Sequence, residues 1–290
     1  MSYFFKSPLD LEIRFEGEDS RQQFEVKSAQ GKKDKYPLYE DGESVVGEVT
    51  VRVKDGKRVE HTGIKAQLFG SIEISNGQRD DFLCLSHDLA PPAELDHSET
   101  YKFNFKDVEK RYESYKGKNL NVSYYVKIVI FRKSADITKI KKFWVNIYSN
   151  PTDLKKSIKL DIGIENCLHI EFEYSKSTYS LKDVIVGRIY FLLTRLKIKH
   201  MEISLITRET VGVQPNQLSD SSTIRYEIMD GSPVKGETIP IRMFLGGYEL
   251  TPTTKTNLFS VKNYISLVII DEDGRRYFKQ SEIVLFRTKS

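Results

Sequence analysis

Residues 39–51 read YEDGESVVGEVTV, and residues 179–191 read YSLKDVIVGRIYF. Each stretch holds a tyrosine, an acidic residue, a Val-Gly pair and then alternating β-formers. One phrase used twice, half a chain apart, signals an internal repeat, and a missed repeat misreads the whole architecture. Three further matches fall in the same order. His61, Ile64 and Ala66 correspond to His200, Ile203 and Leu205. Residues 98–103 (SETYKF) correspond to 236–241 (GETIPI), and 121–128 (NVSYYVKI) to 260–267 (SVKNYISL). A single offset of about 139 residues describes most of the 290-residue chain. The sequence therefore reads as two copies of one domain, and the length suffices for two.

Each copy carries the signature of strands. Leu9, Leu11, Ile13 and Phe15 alternate with polar neighbours, as do Val45 to Val53, Ile64 to Leu68, Tyr101 to Phe105 and Val122 to Ile130. The second half repeats this at Ile158 to Ile164, Leu168 to Tyr174 and Val261 to Ile269. Period-two alternation places one face in a core and the other in water. Turn signals stand at Asp55-Gly56, Asn76-Gly77, Asp230-Gly231 and Asp273-Gly274. No long stretch keeps a helical period with caps at both ends. The expectation is an all-β protein: a β-sandwich over 1–148, a hinge over 149–156 and a second β-sandwich over 157–290. The hinge reading rests on the turn formers and proline of Tyr148-Ser149-Asn150-Pro151-Thr152-Asp153. An interface between two such lobes is expected to be polar.

Charge and cysteines narrow the function classes. The formal net charge of +4 is too small for a nucleic-acid binder, which concentrates basic residues on one face. Cys84 and Cys167 show no metal spacing and lie in apolar runs, so buried, reduced thiols are expected. The N-terminus, MSYFFKSPLDLEI, lacks a secretory h-region and cleavage site, and no stretch has the length of a membrane span. The reading is a soluble, cytosolic chain, in which the sequon at Asn121-Val122-Ser123 is incidental.

A search for chemistry finds no catalytic constellation. There is no phosphate loop, Cys-x-x-Cys pair, His-Glu-x-x-His or nucleophile elbow. His61 and His200 occupy equivalent repeat positions, which points to a shared structural task rather than catalysis. Cys167 and His169 lie two apart on a strand with no third group to orient them, so a nucleophile–base pair is not assembled. Glu171 and Glu173 alternate with Ile170, Phe172 and Tyr174, the pattern of a solvated strand face. The run from Thr194 to His200 would, as one strand, present a basic ribbon of Arg195, Lys197 and Lys199, an ordinary solvated face in the first instance. Lys139 to Lys142 is similarly basic and reads as a loop or strand edge. No catalytic residue, metal site or cofactor is expected, and a binding or scaffold protein is.

Several long segments resemble a known family. They are Ile164 to Tyr174 (IENCLHIEFEY), Leu181 to Phe191 (LKDVIVGRIYF), Tyr226 to Glu237 (YEIMDGSPVKGE) and Arg275 to Gln280 (RRYFKQ). Tyr39 to Val45 and Tyr112 to Tyr115 fit as well. These segments are similar to the arrestin-related subunit of retromer, the vacuolar protein sorting-associated protein 26 family. Arg111 stands where the family usually has proline, and the tail carried by many members has no counterpart before Ser290.

The resemblance implies two arrestin-like β-sandwich lobes related by internal duplication, in agreement with the repeat. It implies a non-enzymatic member of the endosomal cargo-recognition trimer, peripheral on endosomal membranes. The partners it implies are the long helical-solenoid subunit, phox-homology sorting nexins and the cytosolic tails of transmembrane cargo returned to the Golgi or plasma membrane. Ile228 and Met229, read as a loop ahead of the Asp230-Gly231 turn, match the family's solenoid-docking position. Lys159, Leu160, Asp161, Ile162, Gly163 and Ile164, in an expected edge strand, match its cargo-binding strand, with Ile162 and Phe278 lining an aliphatic pocket. A different reading is an arrestin-type adaptor that binds receptor tails without retromer.

Overall fold

The computed structural model describes residues 7–27, 33–54, 56–152, 156–214 and 216–289. The chain forms two compact units, Met1–Ile147 and Tyr148–Ser290, called here the N unit and the C unit. Asp55, within one expected turn, and residues 153–155, within the expected hinge, lie outside the described residues.

The N unit contains β1 (Leu9–Phe15), β2 (Gln23–Lys27), β3 (Lys33–Glu40), β4 (Val45–Val53), β5 (Val59–His61), β6 (Gly63–Ile74), β7 (Arg79–Ala90), β8 (Ala93–Leu95), β9 (Glu99–Phe105), β10 (Tyr115–Lys116), β11 (Leu120–Phe131) and β12 (Ile137–Asn146). One sheet has the order β1-β4-β9 and the other β2-β3-β12-β11-β6-β7, with β10 added to β11 and a small β5-β8 pair. Alternation explains the layering. Leu9, Leu11, Ile13 and Phe15 of β1 meet Val122-to-Ile130 neighbours such as Tyr124, Val126 and Ile128 of β11 in one apolar cluster. Burying side chains of this size is worth about 1.5–3 kcal/mol each, which makes the two-sheet closure the dominant local term.

The C unit contains β13 (Ile158–Ile164), β14 (Leu168–Tyr174), β15 (Thr178–Ser180), β16 (Val184–Thr194), β17 (Ile198–Val211), β18 (Leu218–Asp230), β19 (Thr238–Phe244), β20 (Thr254–Lys255), β21 (Phe259–Asp271) and β22 (Arg276–Phe286). Its sheets run β13-β14-β16-β19 and β15-β22-β21-β17-β18, with β20 on β21. Among the described residues the only helical turn is Leu245–Gly247.

The two units repeat one plan down to strand register. Val45 pairs with Phe105, and Val184 pairs with Phe244. In each unit one parallel pair joins the large sheet: Tyr39 opposite Val145, and Tyr179 opposite Leu285. The repeated Val-Gly has a steric cause. A Cβ on Gly47 would lie 2.4 Å from the Arg14 carbonyl oxygen, and one on Gly187 would lie 2.3 Å from that of Glu173. Only glycine admits so close a backbone approach.

The units also differ. Phe15 of β1 partners Gly47 and Tyr174 of β14 partners Gly187, so β14, not β13, is the counterpart of β1. β13 is an extra strand on the edge of the C unit's smaller sheet.

Four sequence-based expectations are corrected. Cys84 and Cys167 are unpaired but exposed, because Cys84 lies on the edge strand β7 and Cys167 in the tight turn between β13 and β14. The run from Thr194 to His200 is not one ribbon: β16 ends at Thr194, the chain turns through 195–197, and β17 begins at Ile198. Ile228 and Met229 belong to strand β18 rather than a loop. Asn76-Gly77 and Asp273-Gly274 do join hairpin strands, whereas Asp230-Gly231 ends β18 and leads to the other sheet.

Candidate functional site

β18 is the edge strand of the C unit's larger sheet, so one of its sides carries no partner strand among the described residues. Its pairing with β17 is interrupted near its end. Glu202 lies opposite Glu227, and the next residue, Met201, lies opposite Met229. Ile228 is thus the extra residue of a β-bulge. In a regular strand, consecutive side chains point to opposite faces. The bulge removes that alternation, and Ile228 and Met229 both pack half-buried against the apolar cluster beside Ile224 and Tyr226. The chain then turns at Gly231, whose φ of 87° is in the left-handed region. The result is a pair of large apolar side chains, side by side, at an unpaired sheet edge.

β13 forms a second edge. It pairs with β14 on one side only. Lys159, Asp161 and Gly163 are exposed, Ile158, Leu160 and Ile164 are half-buried, and Ile162 is 8% exposed within the core. A Cβ on Gly163 would meet nothing within 4 Å. Unlike Gly47 and Gly187, this glycine is not demanded by packing. The charged Lys159 and Asp161 are the kind of residue that keeps a free edge from indiscriminate pairing.

Alpha carbons of β13 approach those of β22 within 8 Å, so the edges of the two sheets meet along a seam. β15 pairs with β22 only from Val284 to Phe286, which leaves the earlier part of that side of β22 without a paired strand among the described residues. Phe278 is 63% exposed on the face opposite Tyr277, which packs on the core. Ile162 and Phe278 therefore lie on neighbouring strands, but one side chain enters the core and the other leaves it.

The N unit shows what a closed seam looks like. There β1 runs beside β12, and Lys141 of β12 crosses the gap. Its ammonium donates to the Ile13 carbonyl at 2.9 Å and pairs with Glu18 at 2.6 Å. By the register of the parallel pairs, the equivalent residue in the C unit is Ser281. A serine is too short to bridge two sheet edges.

His169 is exposed on β14, Glu171 is exposed, and Glu173 accepts a hydrogen bond from the Tyr190 hydroxyl at 3.2 Å, as suits a solvated face. Lys159 and Glu173 are 3.9 Å apart, a weak surface pair. His61 and His200 do not share one environment. His61 is buried with neither ring nitrogen bonded, and burial pushes its pKa below the ordinary value, with Glu99 opposing. His200 is half-buried on β17 opposite Asp230. Among the described residues, no group of His, Cys, Asp and Glu is placed to hold a metal ion, and no helix is long and apolar enough to cross a membrane.

Comparison with known proteins gives these edges a context. The family model for vacuolar protein sorting-associated protein 26 matches residues 5–274. The chain belongs to this family. It is 49% identical to the carboxypeptidase Y-deficient protein 8 of Saccharomyces cerevisiae, with all of both chains covered. It is 48% identical to the vacuolar protein sorting-associated protein 26 of Schizosaccharomyces pombe, covering 100% of this chain and 99% of that one. It is 51% identical to the human vacuolar protein sorting-associated protein 26B, covering 99% and 88% respectively. Membership in the vacuolar protein sorting-associated protein 26 family agrees with the repeat and with the paired sheets: the fold is all-β, with arrestin-like sandwiches.

For a member of this family, the sequence makes the β13 edge legible, presents the β18 edge as a loop, and leaves three structural features unmarked. The bulge at Ile228, the added strand β13 and the Lys141 closure all depend on cross-strand register.

Proposed function

We propose that this chain is the non-enzymatic, arrestin-like subunit of a retromer cargo-recognition trimer. The C unit docks on the N-terminal end of the helical-solenoid subunit through the bulged end of β18, with Ile228 and Met229 as the apolar anchors. A neighbouring edge, β13, receives a cargo tail together with a phox-homology sorting nexin. Sorting nexins bring the assembly to the endosomal membrane, and cargo leaves for the Golgi or the plasma membrane. The observation that carries the docking reading is the bulge: it turns two consecutive large apolar side chains to one face at an unpaired edge, the arrangement of an interface anchor. The cargo reading is supported by the open seam, where a peptide would add by backbone hydrogen bonds and use side-chain pockets for selectivity. Because Ile162 is buried, its part is to shape the strand and the floor, while Phe278 offers the exposed apolar surface.

The docking test replaces Ile228 with Asp and Met229 with Asn together, in the full chain. The expected result is loss of co-purification with the solenoid subunit, with binding weakened about 100-fold or more. Thermal unfolding is measured beside it, because both side chains touch the core. A folded double variant that still co-purifies at the wild-type level would refute the docking reading and leave the arrestin-type adaptor independent of retromer as the better account.

A further inference from the structure

We infer that Glu202 is a positioning residue for the docking edge: held by Arg225 and Arg276, its carboxylate fixes the strand register that turns Ile228 and Met229 to one face. This inference rests on the reading of β18 as the docking edge.

Two registers are available to the end of β18. In the observed one, Met201 lies opposite Met229 and Ile228 is bulged. Without the bulge, Met201 would lie opposite Ile228, and His200 opposite Met229. Met229 would then leave the face it shares with Ile228, since a slip of one residue flips every side chain beyond it. Both registers keep a backbone ladder, so side chains must decide between them.

Beyond the bulge, the Gly231 amide donates to the Lys199 carbonyl at 2.8 Å. The Ser232 hydroxyl accepts from the Ile198 amide at 2.7 Å and donates to the Ile198 carbonyl at 2.9 Å. Ahead of the bulge stands Glu202, buried on β17. Its Cα partner on β18 is Glu227. Like charges directly opposite one another destabilise a strand pair, so Glu202 alone would push β18 away. Two guanidinium groups reverse this. Arg276 Nη2, reaching across β21 from β22, donates to Glu202 Oε1 at 3.1 Å. Arg225 Nε, on β18 itself, lies 3.8 Å from the same oxygen. Arg276 thus orients the carboxylate, and Arg225 ties β18 to it two residues before Glu227. A buried, paired charge contributes little to stability compared with an apolar residue of the same volume; its best-attested use is to fix registry.

The test uses the full chain and the solenoid subunit. Glu202→Leu is expected to weaken solenoid binding roughly tenfold, with no fall in thermal midpoint and no change in capture of a cargo peptide with the sorting nexin. Glu202→Gln keeps an acceptor for Arg276 and is expected to retain most of the affinity. Hydrogen exchange at the amides of Ile228 to Gly231 should quicken in the free Glu202→Leu chain. Arg225→Ala, at an exposed position, is a second variant that removes the tie while threatening the fold less. Wild-type affinity in both Glu202→Leu and Arg225→Ala, while the Ile228→Asp with Met229→Asn variant fails to bind, would overturn the positioning role and leave the docking reading intact. Wild-type affinity in that double variant would overturn both.

Discussion

Three glycines separate what the fold requires from what a partner could use. Gly187 sits beneath the Glu173 carbonyl, and a Cβ there would approach to 2.3 Å, far inside contact distance. Gly187→Ala should therefore destabilise the C unit by about 2–3 kcal/mol, read as a shift in the denaturant midpoint. Gly47→Ala should do the same in the N unit. Gly163→Ala meets open space and should change stability by no more than about 0.5 kcal/mol. A second residue-scale feature is Lys110, fully buried in the N unit, with its ammonium donating to the carbonyls of Val108 and Glu43. Burial pushes its pKa down to about 8, against the opposing pull of Glu43 and Asp41. An unfolded chain then binds more protons than the folded one above the folded pKa and below the ordinary lysine value, so stability rises with pH across that window. Relative to Lys110→Met, wild type should gain about 2 kcal/mol between roughly pH 7.5 and 9.5 in chemical denaturation. A flat difference would show that the ammonium is not held at a cost.

At the scale of strands, period-two alternation made the layers legible, and the shared Val-Gly phrase located β4 and β16. Alternation reports which face of a strand is wet, but not which edge is paired. For that reason the sequence presents Ile228 and Met229 as a loop: an Asp-Gly step follows them, while the bulge depends on the opposite strand and leaves no local mark. The apolar neighbours of Cys84 predict burial, yet among the described residues β7 pairs only with β6, and Cys84 on it is exposed. The basic run near Lys197 resembles one strand because its alternation survives a turn. β13 illustrates the other limit. Its residues predicted a strand and its place in the repeat predicted an edge, but the seam with β22 arises only when two sheets close. Phe278, exposed on β22, should tolerate Phe278→Asp with little loss of stability. If the seam takes cargo, that variant should weaken capture of an extended cargo peptide, with the sorting nexin present, about tenfold or more. Solenoid binding should stay unchanged. A proline at Ile162 should have the same selectivity but with a stability cost, since this side chain is in the core. Undiminished capture by stable Phe278→Asp would remove Phe278 from the site.

At the scale of the whole chain, duplication gives each unit an internal control. β7 and β18 are equivalent edges, each paired to the long strand after the Val-Gly strand. Both end in a bulge, at Leu89 in β7 and at Ile228 in β18, but the next residue is the small Ala90 in β7 and the large Met229 in β18. The N-unit seam is bridged by Lys141, and its C-unit counterpart is not bridged by Ser281. Met229 in place of Ala90 and the seam without a lysine bridge both fall in the C unit, and on the proposed reading these are the two edges that partners use. The most direct measurement is hydrogen exchange of the full chain with and without the solenoid subunit. Amides of β18 from Ile224 to Gly231 should be protected in the complex, while the equivalent edge β7, Arg79 to Ala90, should exchange as in the free chain. Protection over β7, with Ile224 to Gly231 unchanged, would contradict the account.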